Sequence, residues 1–126
     1  MSKPFSQICP DFEEWPERWM GVPEDIPFGR KIIHIFRPFI ENLIKAAYTE
    51  KTIWRHIDNL WLLGGEIVRE INMDPDLRDT DARNLLMETI GDHGGPPCWH
   101  LNTDAEQRSF DATCKKLYRF LRQTNE

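Results

Sequence analysis

Cys98 and His100 stand one residue apart, with His93 just upstream and Cys114 further along. Thiolate and imidazole are the ligand types that zinc prefers. The spacing does not suit that metal. One intervening residue is too short for the usual finger pairing, a second paired knuckle is missing, and Gly94-Gly95-Pro96-Pro97 stands between His93 and the pair. The reading is a tight turn with an ordinary loop histidine and a partly buried thiol, and no metal. Nucleophilic catalysis needs a thiol or hydroxyl beside a base that a third group orients. Cys98 and His100 have no such third member and no oxyanion hole. Cys114 falls on an apolar stripe, where cysteine packs as a small hydrophobe. The acids Asp74, Asp76, Asp79 and Asp81 read as a solvated loop between helices, and Gly64-Gly65 and Gly94-Gly95 lack the flanks of a phosphate or dinucleotide loop. These residues indicate a protein that binds and does not catalyse, with no cofactor.

Binding chemistry is better represented. The formal net charge of −5 argues against wholesale attraction to nucleic acid, yet the charges are segregated. Residues 28–56 hold six basic against two acidic side chains, and residues 108–122 hold five against one, so each segment carries +4 and the remainder −13. In the first segment Lys45, Lys51 and Arg55 flank a turn between two helices; Lys51 and Arg55, four residues apart, share a helical face. In the second, Lys115, Lys116 and Arg119 lie largely off the apolar stripe of the last helix. A helix N-terminus beside basic side chains suits phosphate.

The elements that position these residues are helical. Residues 1–27 are proline-punctuated (Pro4, Pro10, Pro16, Pro23, Pro27) and studded with Phe5, Phe12, Trp15, Trp19 and Met20. This is an irregular arm whose rings fill gaps in the core, with one helical turn near Trp15–Met20. From Phe28 to Ala47, apolar residues recur every three to four positions, and Pro38 either kinks a long helix or starts a second. Tyr48 and Thr49 mark a turn, with Thr49 as N-cap. The next helix runs from about Glu50 to Ile71 on Ile53, Ile57, Leu60, Trp61, Ile67, Val68 and Ile71. Gly64-Gly65 in its middle means that the helix bends there or that another helix packs very close to it. A short helix spans about Asp81 to Ile90, burying Leu85, Leu86 and Ile90. The last opens on a capping box, Thr103 with Glu106, and turns inward Phe110, Cys114 (or Thr113), Leu117, Tyr118 and Leu121. The fold class is all-α, a bundle of four to five helices over residues 28–126 with the arm packed on it.

At 126 residues the chain is long enough to bury a core without disulfides or metal. No apolar run approaches the roughly 18 residues of a membrane span. Met1-Ser2-Lys3-Pro4-Phe5 opens no secretory leader, and three cysteines without repeated spacing fit reduced thiols. The expectation is a cytoplasmic protein that makes no contact with membrane.

The helix–turn–helix stretch also resembles a known family. Phe39-Ile40-x-x-Leu43-Ile44-x-Ala46-Ala47-Tyr48-Thr49-x-x-Thr52-Ile53-x-x-His56-x-x-x-Leu60 is similar to the core-binding domain of tyrosine recombinases and phage integrases. That domain is a SAM-like helical bundle that grips DNA opposite the catalytic domain. Its usual signature is an apolar helix, a Gly-apolar-Ser turn, then Thr and an apolar residue opening the next helix. Ala47 stands where glycine is common, and Thr49 where serine is. The likeness covers roughly residues 28–71. His34-Ile35-Phe36-Arg37 spells the recombinase His-x-x-Arg but precedes the motif instead of following it, and Tyr118 sits within a helix stripe. The resemblance therefore implies a stand-alone, non-catalytic DNA-binding module of a bacterial chromosome or mobile element, with Lys45, Lys51, Arg55, Lys115, Lys116 and Arg119 on phosphates. The competing expectation is a protein–protein adaptor that docks through Trp15 and Trp19 of the arm or the exposed ring of Trp54.

Overall fold

The computed structural model describes residues 4–98 and 101–124. Among them the secondary structure is helical: α1 (Phe5–Ile8), α2 (Trp15–Trp19), α3 (Ile26–Lys45), α4 (Glu50–Met73), α5 (Ala82–Thr89) and α6 (Asp104–Gln123), with single 3-10 turns at Phe12–Glu14, Pro23–Asp25 and Pro75–Asp79. An isolated bridge between Gly91 and Gly94 is the extended pairing present among the described residues. The all-α bundle expected from the periodicity is the fold observed.

Helix α3 is continuous through Pro38. Proline removes the bond to the carbonyl four residues back, that of His34, and both positions are exposed, so water can take its place. The inner face carries Phe28, Ile32, Phe36, Phe39, Ile40 and Leu43. The helix ends in a Schellman motif: the Tyr48 amide donates to the Leu43 carbonyl (3.4 Å) and the Ala47 amide to that of Ile44 (3.1 Å). Ala47 has φ +63°, the left-handed region that favours glycine. The residue standing where glycine is common thus adopts the conformation that glycine serves. Thr49 then caps α4, its hydroxyl accepting from the Thr52 amide (3.2 Å).

The arm, expected to be irregular apart from one helical turn, holds two short helices and two 3-10 turns. Phe12 and Trp15 are 1% and 3% exposed and belong to the core. Its rings form a chain, Phe5 on Phe12 (5.0 Å between centroids), Phe12 on Trp15 (4.7 Å) and Trp15 on Trp61 of α4 (5.5 Å). Arg37 of α3 lies over Phe5 and Phe12 and pairs with Glu13. At the arm's far end Asp25 is wholly buried and accepts from the amides of Gly21 and Val22, from Asn72 Nδ2 and from Arg78 Nε (2.9 Å). Burial alone would raise its pKa, but the Arg78 guanidinium and the other donors outweigh that and hold it below the usual carboxylate range. The carboxylate ties the start of α3 to the end of α4 and to the 3-10 turn beyond.

The glycine pair in α4 marks a close neighbour. A Cβ on Gly64 would stand 2.2 Å from Trp19 Cζ2, whereas one on Gly65 would meet that ring no nearer than 3.5 Å. The indole, fixed by its Nε1 donating to the Trp61 carbonyl (3.1 Å), occupies the place of a side chain at 64. Gly64→Ala should therefore destabilise the protein by about 1–3 kcal/mol through overpacking. Gly65→Ala should be neutral, or stabilising by up to about 1 kcal/mol through helix propensity. Urea unfolding of the two variants checks this, and equal effects would contradict it.

Candidate nucleic-acid interface

Helices α4 and α6 run antiparallel, and a buried polar network fixes their register. His56 Nδ1 lies 2.7 Å from Thr113 Oγ1. Asn59 Nδ2 donates to the same hydroxyl (2.8 Å) and to the Ser109 carbonyl (3.1 Å). His56, Asn59 and Thr113 are all nearly buried, and no buried side-chain polar atom among the described residues is left without a partner. One turn further along α6, this register sets Lys116 against the α3–α4 turn. Its ammonium donates to the Tyr48 hydroxyl (2.7 Å) and lies 4.8 Å from that ring's centroid.

Two segments far apart in sequence are joined there. Lys45, Lys51 and Arg55 are exposed around the turn; Lys115 and Lys116 are half-buried and Arg119 is exposed on α6. His56 senses both groups, Arg55 from its own helix and Lys116 from the facing one. Among the described residues, the basic side chains with carboxylate partners are elsewhere: Arg18 with Glu14, Arg30 with Glu17, Arg37 with Glu13, Arg69 with Glu66, and Arg78 with Asp25. None of the six expected phosphate contacts is neutralised by such a pair. The N-terminus of α4 opens at the same end, adding the positive pole of a 24-residue helix. The acidic residues Glu66, Glu70, Asp74, Asp76, Asp79 and Asp81 begin about 24 Å along α4 from its first residue and continue beyond its end, while Glu50 and Asp58 stand beside Lys51 and Arg55.

Of the remaining candidates, Cys98 and Cys114 are brought near one another. His93 is exposed in its turn, Cys98 and Cys114 are buried, and His100 lies outside the described residues. No group of three or more His, Cys, Asp and Glu among the described residues is placed to hold a metal. Burial, then Asp111 and Cys98 nearby, push the Cys114 thiol up to about 12, so it is protonated at neutral pH. His34 is exposed, and Arg37 of the His-x-x-Arg pair is occupied by the arm. Of the three tryptophans expected to face a protein partner, Trp15 is core, Trp19 is packed on Gly64, and Trp54 is 38% exposed. No described helix is long and apolar enough to cross a membrane. Sequence reasoning missed Tyr48 as the bridge, and missed the His56–Asn59–Thr113 network. The signal for the network was polar side chains falling on the apolar stripes of both long helices.

Comparison with models of known families, with curated proteins and with solved structures returns no match.

The network carries a pH dependence. Burial first, then Arg55 and Lys116, lower the His56 pKa from 6.5 to about 4. The unfolded chain therefore binds the proton more readily than the folded one. Stability is full above pH 6.5 and falls as pH drops from there to about 4, by roughly 3 kcal/mol for a shift of that size. Asp25, whose pKa is lowered, loses its contribution only below this window. Urea midpoints of the wild type and His56→Gln, measured from pH 7.5 to 4, should converge as pH falls; parallel profiles would contradict the assignment.

Proposed function

We propose that this chain is a non-catalytic DNA-binding module that seats duplex phosphates on the patch formed by Lys45, Lys51, Arg55, Lys115, Lys116 and Arg119. The observation that carries the reading is the junction of two basic segments through Tyr48 and Lys116, at an end where these cations have no carboxylate partners among the described residues. Cations without internal counterions attract the polyanion and release its condensed salt on contact. The positive end of α4 adds to the same field. The bipolar arrangement favours one orientation, since the acidic far end is repelled by the backbone that the basic end approaches.

The resemblance of residues 39–60 to the core-binding domain of recombinases supports the same reading. Its turn is the Schellman turn with left-handed Ala47, and its Thr-apolar pair opens α4. Here the turn would lie on the backbone of the duplex, with α6 contributing a second line of contacts. Such contacts position a protein without reading sequence, so affinity should be nearly independent of base composition.

Binding of a short duplex, followed by fluorescence anisotropy, should weaken steeply with salt. Six phosphate contacts set an upper bound of about −5 on the slope of log K against log salt. Lys51→Glu combined with Arg55→Glu should abolish binding while leaving the helical circular dichroism unchanged, since both side chains are exposed. No binding at low salt, or binding indifferent to the double substitution, would overturn the proposal.

A further inference from the structure

We propose that the pocket lined by Trp15, Trp54 and Trp61, with Asp11 and Asp58, binds an N-methylated ammonium group. Trp54, Asp58 and Trp61 follow one another at i, i+4 and i+7, so α4 presents two indoles with a carboxylate between them on one face. The arm brings Trp15 and Asp11 to the same pocket. Trp15, 3% exposed, meets Trp61 edge to face at 71° with centroids 5.5 Å apart and forms the closed floor of the pocket beside the half-buried Trp61. Trp54 supplies a third, solvent-facing wall at 38% exposure.

This composition selects a cation. Indole faces attract positive charge through the ring quadrupole, and tryptophan does so best among the aromatic residues. The two aspartates add full charges. Neither is engaged by a basic side chain among the described residues, and Asp11 accepts the Cys9 thiol at 3.5 Å. Both carboxylates converge on that thiol: burial first, then Asp11, with Asp58 adding to it, raise Cys9 to about 12. Cys9 is thus a neutral wall and no competitor for the ligand. Arg18 also lines the pocket, but its guanidinium is held by Glu14 at 3.1 Å.

Size and hydration narrow the cation. The cavity is about 270 Å³, below the roughly 300–1,000 Å³ of sites for drug-sized ligands. It takes a headgroup, not a nucleotide. A bare ammonium is strongly hydrated and brings three donors, each of which needs an acceptor. Methyl groups replace those donors with apolar surface that the rings can cover. The group could reach the pocket on a free small molecule such as choline or on a trimethylated lysine of a peptide; the recognition chemistry is shared.

The test is tryptophan fluorescence and calorimetry of the full chain, with tetramethylammonium chloride titrated against sodium chloride at matched ionic strength. A saturable response to tetramethylammonium alone is expected. Trp54→Ala should weaken it about tenfold, and Asp58→Asn should weaken it several-fold. Both positions are exposed, and an unchanged melting curve will show that the fold is intact. Parallel titrations with choline and with trimethyllysine and unmodified lysine peptides then assign the source: tighter binding of either methylated ligand than of the unmodified peptide supports the site. Absence of a saturable response to tetramethylammonium, or an unchanged affinity in Trp54→Ala, would overturn it. DNA binding by these two variants is expected to persist, so failure here is distinguishable from failure of the DNA reading.

Discussion

The register between α4 and α6 depends on a hydrogen-bond network sealed between them. Asn59 and Thr113 each satisfy the other, and His56 and Ser109 complete the set. Slipping one helix past the other would strand several buried polar groups, at about 1–3 kcal/mol each. Apolar stripes alone tolerate such slips, because one aliphatic contact replaces another. The polar groups make the alignment specific, and the position of Lys116 beside Tyr48 follows from it. A contact between residues 68 apart in the chain, Lys116 on Tyr48, is held because two helices cannot slide.

The arm contributes in a different way. Trp19 lies in the notch left by Gly64, and Asp25 gathers donors from four residues on three sides. Together they hold the first part of the chain against α3 and α4. Neutralisation also happens here, with Arg30 and Arg37 drawn to Glu17 and Glu13. The basic residues nearer the α3–α4 turn are beyond the arm's acidic side chains. The arm therefore shapes the electrostatics by covering one part of α3 and leaving the other uncovered, and its Trp15 lines the pocket beside Trp54.

Much of this was legible in the sequence. Period-3.6 stripes located the long helices, Thr49 and the Thr103–Glu106 box set their starts, and adjacent glycines narrowed the middle of α4 to a bend or a close-packed helix. These are local signals, each readable within a few residues. The continuity of α3 through Pro38 was not settled, because it depends on which side of the helix the proline faces. The regularity of the arm was understated, because prolines at helix starts, as at Pro16 and Pro23, look the same in sequence as prolines in loops. For the candidate site, the six cations were readable as residue types, but the meeting of Lys116 with the α3–α4 turn was not. That meeting depends on Tyr48 reaching α6, and a lone tyrosine in a turn carries no mark of its partner. The pocket beside Trp54 was not legible, because Trp61 reads as part of the buried face of α4 and the third ring comes from a segment 39 residues earlier.

The joint use of both basic segments is most directly read by backbone amide NMR of the protein titrated with a short duplex. Shifts concentrated over residues 45–55 and 115–119 together, saturating with a single affinity and sparing residues 70–81, are the predicted result. Shifts confined to one segment, or centred on the acidic end, would contradict a shared phosphate-binding surface.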